Sequence, residues 1–215
     1  MATRTEALND LFAGWKTSYG NEAGNFAEDG IIFEEKWNAA RRKVLFLLKE
    51  TNDFAGDFRA EVRRNPWLEI GFLAYGLQTL GADGTPTFRM ARNASNWKDA
   101  CLSSAIVNLK KLKGPASSKP EVIHQAAQRD RERIWEELAI VQPDIVVCGG
   151  TFDIFREVSS GLCRFQPVSS DEQCFLHKTT LWLDFSHPQA LFVPHYMMYY
   201  TITQLFRNYL LTRTI

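Results

Sequence analysis

Val44-Leu45-Phe46-Leu47-Leu48 is an unbroken apolar run, closed by the polar stretch Lys49-Glu50-Thr51-Asn52-Asp53. An amphipathic helix interrupts its apolar stripe within each turn, and a half-exposed strand alternates. A continuous run ended by polar residues therefore predicts a strand covered on both faces, as in parallel sheets. Three more runs share this character. Ala105-Ile106-Val107 leads into Asn108, Ile145-Val146-Val147-Cys148 ends at Gly149-Gly150, and Leu181-Trp182-Leu183-Asp184-Phe185 leads to Ser186-His187-Pro188.

Helical periodicity fills the intervals. Residues 3–17 place Leu8, Leu11, Phe12 and Trp15 on one face, and a turn follows at Gly20–Gly24. Helices are expected over 34–42, 54–64, 66–80 (Pro66 in the first turn), 96–102, 151–158 and 195–212, with a turn at Gly81–Thr87. A long amphipathic helix is expected over 118–141, capped by Ser117 or Ser118 and stopped by Pro143. Residues 161–180 read only as a small edge strand near Cys174–Leu176. Strands alternating with helices predict an α/β chain, a three-layer α/β/α sandwich around a central, mostly parallel four-stranded sheet. One domain is expected over residues 1–215, with 1–42 as a helical extension packed on it.

Bulk properties narrow the class. Of 215 residues, 45% are hydrophobic and 23% charged, enough to bury a core without disulfides or a structural metal. The net charge is zero, so any nucleic-acid contact must come from a local patch. Lys110, Lys111, Lys113 and Lys119 form one such cluster; Arg41, Arg42 and Lys43 a second; Arg59, Arg63 and Arg64 a third. Taken singly, each of these reads more simply as a solvated face. The four cysteines lack C-x-x-C spacing, which argues against a zinc ribbon. There is no secretory h-region and no bilayer-length apolar stretch, so a reducing cytoplasm is expected, with no membrane partner.

Ligands of open parallel sheets bind beyond the carboxyl ends of the strands. If the four strands are parallel and adjacent, Glu50, Asn108 and His187 converge there: a carboxylate, an amide and an imidazole. Each has a plainer reading taken singly. Glu50 or Asp53 suits a loop carboxylate or helix cap, Asn108 a strand-end amide bonded to backbone, and His187 a turn histidine. The Cys148-Gly149-Gly150-Thr151 turn suits either tight packing or a phosphate cradle.

In this order the motifs resemble the uracil-DNA glycosylase superfamily. Lys43–Asn52 (KVLFLLKETN) is similar to its first strand and water-handling loop, and Ala105–Lys111 (AIVNLKK) to its second strand. Gln142–Gly150 (QPDIVVCGG) is similar to the third strand, and His187–Leu191 (HPQAL) to the late histidine motif. The resemblance spans about residues 43–206 and implies a monofunctional DNA glycosylase acting on single- or double-stranded DNA, without metal or organic cofactor. It implies Glu50 as the catalytic carboxylate, with Asn52 and Asp53 in the same loop, and His187 as the donor to the departing base. Asn108 would read the base edge, with Lys49 nearby. Phe54, or failing that Phe58, would stack on the base. Leu191 would wedge into the vacated stack, while Lys110, Lys111, Lys113, Ser186, Pro188 and Gln189 would grip the strand.

One departure stands out. Uracil-specific members often carry a tyrosine in the first-motif loop that blocks pyrimidines substituted at C5. Asn52 and Asp53 replace the usual proline and the residue after it, which widens the expected substrates to hypermodified bases, as in foreign (phage) DNA. The alternatives are a nucleic-acid-binding module without catalysis and an unrelated α/β enzyme. No G-x-S-x-G elbow or Walker loop supports the latter.

Overall fold

The computed structural model describes residues 2–79, 94–115, 119–167, 174–177 and 179–184. The 81–87 turn, Ser117, Ser118, Phe185 and the 195–212 helix lie outside the described residues.

Helix α1 (Arg4–Thr17) begins at a capping box: Glu6 N–H donates to Thr3 Oγ1 at 3.1 Å, and Thr3 N–H to Glu6 Oε2 at 2.7 Å. A 3₁₀ turn (Gly20–Asn25) leads to the short strands β1 (Ala27–Glu28) and β2 (Gly30–Ile31), followed by α2 (Glu34–Ala39). The central run forms β3 (Val44–Leu48). After β4 (Gly56–Asp57), helix α3 (Phe58–Arg64) starts four residues later than its periodicity predicts. The cause is Asp57, whose Oδ1 accepts Ala60 N–H at 3.0 Å and sets the N-cap there. Helices α4 (Leu68–Thr79) and α5 (Ala94–Leu102) precede β5 (Ala105–Asn108), which takes Asn108 into the strand itself. Helix α6 (Pro120–Val141) ends on Gln142 in the left-handed region. Then come β6 (Ile145–Cys148), α7 (Phe152–Val158), β7 (Gln166–Pro167), β8 (Cys174–His177) and β9 (Thr180–Asp184).

The expected four-stranded sheet is corrected to a mixed one of seven strands, in the order β2-β5-β3-β6-β9-β8-β7. Within it β5, β3, β6 and β9 pair in parallel, with Leu48 opposite Asn108 and Leu47 opposite Cys148. Strands β2, β8 and β7 add antiparallel pairs at the two sides. The strand near Cys174 is thus one place in from the rim, because β7 pairs outside it. Residues 27–31 were expected to be part of an extension, yet they supply β1 and β2, and β2 is a strand of the main sheet.

The pleat sends alternate side chains to opposite faces. Leu45, Leu47, Val146 and Cys148 meet the apolar faces of α1, α6 and α7; Val44, Phe46, Ile145 and Val147 meet α3, α4 and α5. Helices therefore cover both faces, which is why the runs are apolar without alternation. Each fully buried Leu, Ile or Phe contributes about 1.5–3 kcal/mol of transfer free energy. Among the described residues no helix is long and apolar enough to cross a membrane.

Candidate functional site

Beyond the carboxyl ends of β3 and β5 the two chains stay zipped together. Leu109 N–H donates to Leu48 O and Lys110 N–H to Lys49 O, both at 2.9 Å; further on, Asp53 N–H reaches Gly114 O at 2.8 Å and Gly114 N–H reaches Thr51 O at 3.2 Å. Parallel pairing is thus prolonged into the loops, and it brings Glu50 against Lys110. Their side chains form an ion pair in which Glu50 is only 2% exposed and Lys110 12%. Lys110 Nζ also donates to Leu112 O (2.9 Å) and Lys113 O (3.2 Å), so the ammonium is held on three sides. Gly114 closes over the carboxylate, and a Cβ there would fall deep inside van der Waals contact with Glu50. The glycine serves close approach, not a turn. The loop is finished by Thr51 Oγ1, donating to Phe54 O at 2.7 Å, and by Asp53 at φ 50°.

Asn108 is 1% exposed and faces a second carboxylate that the sequence reading does not contain. Its backbone N–H and its Nδ2 both donate to Asp29 Oδ2, at 2.7 and 2.9 Å. Asp29 Oδ1 is ion-paired with Lys111, and Glu137 Oε2 lies 2.6 Å from the same ammonium without hydrogen-bond geometry. All three charged side chains are fully buried. Lys111 Nζ also sits over the rings of Trp15 (5.1 Å) and Phe12 (5.6 Å), a cation–π environment. Burial alone would pull the Lys111 ammonium down, but the Asp29 and Glu137 charges prevail and hold it above the ordinary lysine value. Burial pushes the Glu137 carboxyl well above its usual range and Asp29 adds to this, against the pull of Lys111. The single Lys111 ammonium thus faces two buried carboxyl groups from distant parts of the chain.

The remaining predicted residues divide clearly. Asn52 and Asp53 are exposed at the loop tip, and Lys49 is half-buried beside Glu50. Phe54 is half-buried, with its ring 5.6 Å from that of Phe58. Phe58 is 4% exposed within the core on the α3–α5 side, so the stacking role considered for it is corrected to packing. Of the lysines, Lys113 is exposed. The phosphate contact expected of Lys111 is corrected, because a fully buried ammonium cannot reach a strand. The third basic cluster shrinks too, since Arg59 is 4% exposed and paired with Glu28 (3.4 Å) and Asp57 (3.2 Å). Ser186, His187, Pro188, Gln189 and Leu191 lie outside the described residues.

After β6, Thr151 Oγ1 donates to Leu47 O at 2.7 Å, and a Cβ on Gly149 would stand 2.8 Å from Leu48 Cδ2. This turn is tight packing. Burial, with the charge of Asp184 nearby, pushes the Cys148 thiol well up, so it stays protonated. No cluster of three metal-ligating side chains occurs among the described residues.

A sequence signal for the hidden carboxylates does exist. Glu137 and Asp130 fall on the apolar stripe of α6, three residues after Ile134 and Ala127 respectively. An acid on a buried stripe demands a partner. Asp130 accepts the Tyr19 hydroxyl at 2.6 Å, and Glu137 meets Lys111. Comparisons with family models, with curated proteins and with solved structures find no match.

Proposed function

We propose that this chain is a DNA glycosylase of the uracil-DNA glycosylase type, which flips a uracil or modified pyrimidine out of DNA and hydrolyses its N-glycosidic bond. The observation that carries the reading is the zipped edge of β3 and β5, where the Glu50 carboxylate and the Asn108 amide stand at the ends of adjacent parallel strands. The three-layer architecture of that superfamily agrees with helices on both faces of the sheet.

A base within a duplex is out of reach, and extruding it costs about a few kcal/mol. Exposed Lys113 and the 186–191 segment contact the strand in this reading, with Phe54 against the flipped base. As the bond between C1′ and the base nitrogen breaks, positive charge develops on the sugar and the base leaves as an anion. Glu50 stabilises the cationic sugar and orients a water, whose oxygen bonds to C1′ while its proton passes to the carboxylate and on to solvent. His187 donates toward the departing base, and preorganised donors of this kind contribute roughly 3–4 kcal/mol. No step calls for a metal or organic cofactor. Asn52 and Asp53, both exposed where a blocking tyrosine is usual, favour pyrimidines substituted at C5 as additional substrates, including those of foreign DNA.

The test is a release assay on oligonucleotides carrying uracil and C5-modified pyrimidines, scoring abasic sites and identifying the freed base by mass spectrometry. Glu50→Gln is expected to lower turnover by about 10²–10⁴ while DNA affinity survives. An equally active variant removes Glu50 from the chemistry. Salt-dependent binding without release of any base would identify a binding module instead.

A further inference from the structure

We infer that the cleft between the end of α6 and the β8–β9 hairpin is a binding site for an uncharged planar heterocycle of the nucleoside-base kind, one whose edge carries a hydrogen-bond acceptor beside an N–H donor. The cleft lies at the opposite edge of the sheet from Glu50, so the inference goes beyond the glycosylase reading and stands or falls without it.

The place follows from the topology. Helix α6 ends on Gln142 at φ 55°, and Asp144 leads directly into β6. Strand β9 begins at Thr180 and pairs in parallel with β6, so both strands enter the sheet here by their amino ends. Strand β8 is antiparallel to β9 and sets His177 opposite Thr180. Between these elements is a cavity of about 580 Å³, within the size range of small-molecule sites. Its walls include Trp135 and Leu138 from α6, Pro143 and Asp144 from the connection, His177 from β8 and Trp182 from β9.

Three features define what fits. First, Trp182 lines the cleft at 2% exposure, and its indole Nε1–H is buried with no acceptor. A buried donor left unpaired is an unfavourable arrangement that an acceptor on a ligand would relieve. The indoles of Trp15 and Trp37 also lack acceptors, but both residues are wholly enclosed and neither lines this cleft. Second, His177 Nδ1 lies 3.1 Å from Arg164 O, which can only accept. The proton of the neutral ring therefore sits on Nδ1, and Nε2 keeps its lone pair. One donor and one acceptor, from strands paired side by side, thus belong to the walls of the same space. Third, those walls are flat and carry no positive side chain. Trp135 and His177 meet edge to face, with ring centroids 5.5 Å apart at 66°, and Trp135 is held in place by its Nε1–H, which donates to Ser159 Oγ at 3.0 Å. Among the described lining residues there is no lysine or arginine, and Asp144 is the only acid. With the carbonyl end of α6 beside it, this lining repels phosphates and suits an uncharged ring.

The test is calorimetric titration of the full chain with adenosine, cytidine and uridine, whose bases each carry a donor beside an acceptor, and with purine riboside, which has the acceptors and lacks the donor. At least one of the first three should bind, and purine riboside should bind at least tenfold more weakly than the best of them. Trp182→Phe, which keeps a ring and loses the N–H, should lower that best affinity tenfold or more. Ala139→Phe fills the cleft from an exposed position on α6, so it spares the core and should abolish binding. It carries the test alone where Trp182→Phe fails to fold. The inference is overturned if none of the three nucleosides binds, if purine riboside binds as well as they do, or if the affinity survives either substitution. A failure of base release in the glycosylase assay leaves every one of these outcomes unchanged.

Discussion

Lys110 and Lys111 are neighbours in the chain and opposites in the structure. Lys110 lies at the edge of the sheet, keeps 12% of its side chain exposed, and pairs with the single carboxylate of Glu50 while also reaching two carbonyl oxygens. Lys111 turns inward, is fully buried, and faces two carboxylates and two aromatic rings. The difference follows from chain direction. Successive residues leaving a strand point to opposite sides, so one lysine joins the loop from β3 and the other enters the layer between the sheet, α1 and α6. Local sequence cannot separate the two roles; burial does.

The contrast is broken or sharpened first by removing the cations. Lys111→Met strands two carboxylates in the interior and is expected to cost about 3–5 kcal/mol in urea unfolding. Lys110→Met should cost less, because it strands one carboxylate in place of two. Equal losses would erase the distinction between edge and interior. Next in size is Gly114→Ala. The added methyl enters the space of the Glu50 carboxylate, so about 1–3 kcal/mol of stability should go, together with base release to the level of Glu50→Gln. Unimpaired stability and activity would show that the carboxylate sits elsewhere.

The smallest effect concerns protons. Glu137 has a folded-state pKa raised above its unfolded value of 4.5, so the folded chain binds a proton that the unfolded chain releases. Its contribution is complete below the ordinary carboxyl value and is lost as pH climbs toward the raised one. Within that window wild-type stability should fall with pH by up to about 1.4 kcal/mol per unit. Glu137→Gln should remove this slope, measured as unfolding free energy across the window. A slope that survives the substitution assigns the proton to another group.

Much of the architecture is readable along the chain because it depends on local pattern. The four apolar runs declare strands covered on both faces, and periodicity with capping chemistry declares α1 and α6 to within about two residues. Reading misses what short segments do. Strands β1, β2, β4 and β7 are two residues each, too short for any alternation to register, and pairing across the sheet creates them. Phe58 shows the converse limit: its aromatic character is plain, but it enters the core as the first residue of α3, which starts at the Asp57 cap. At the site, Glu50 and Asn108 are legible as polar residues terminating apolar runs. Asp29 is not, since its partners lie 79 and 82 residues away.

By itself the sequence determined the α/β class, the register of apolar runs with their polar endings, and hence which side chains stand at the carboxyl edge. Those are properties of hydrophobic periodicity, which acts over a few residues. Only the tertiary structure decided that Asn108 and Lys111 answer to Asp29, that Glu50 is sealed by Lys110 and Gly114, and that of two adjacent lysines one stays at the edge and one is buried. Such choices depend on the free energy of enclosing charge, and that is defined only once distant segments have closed around it.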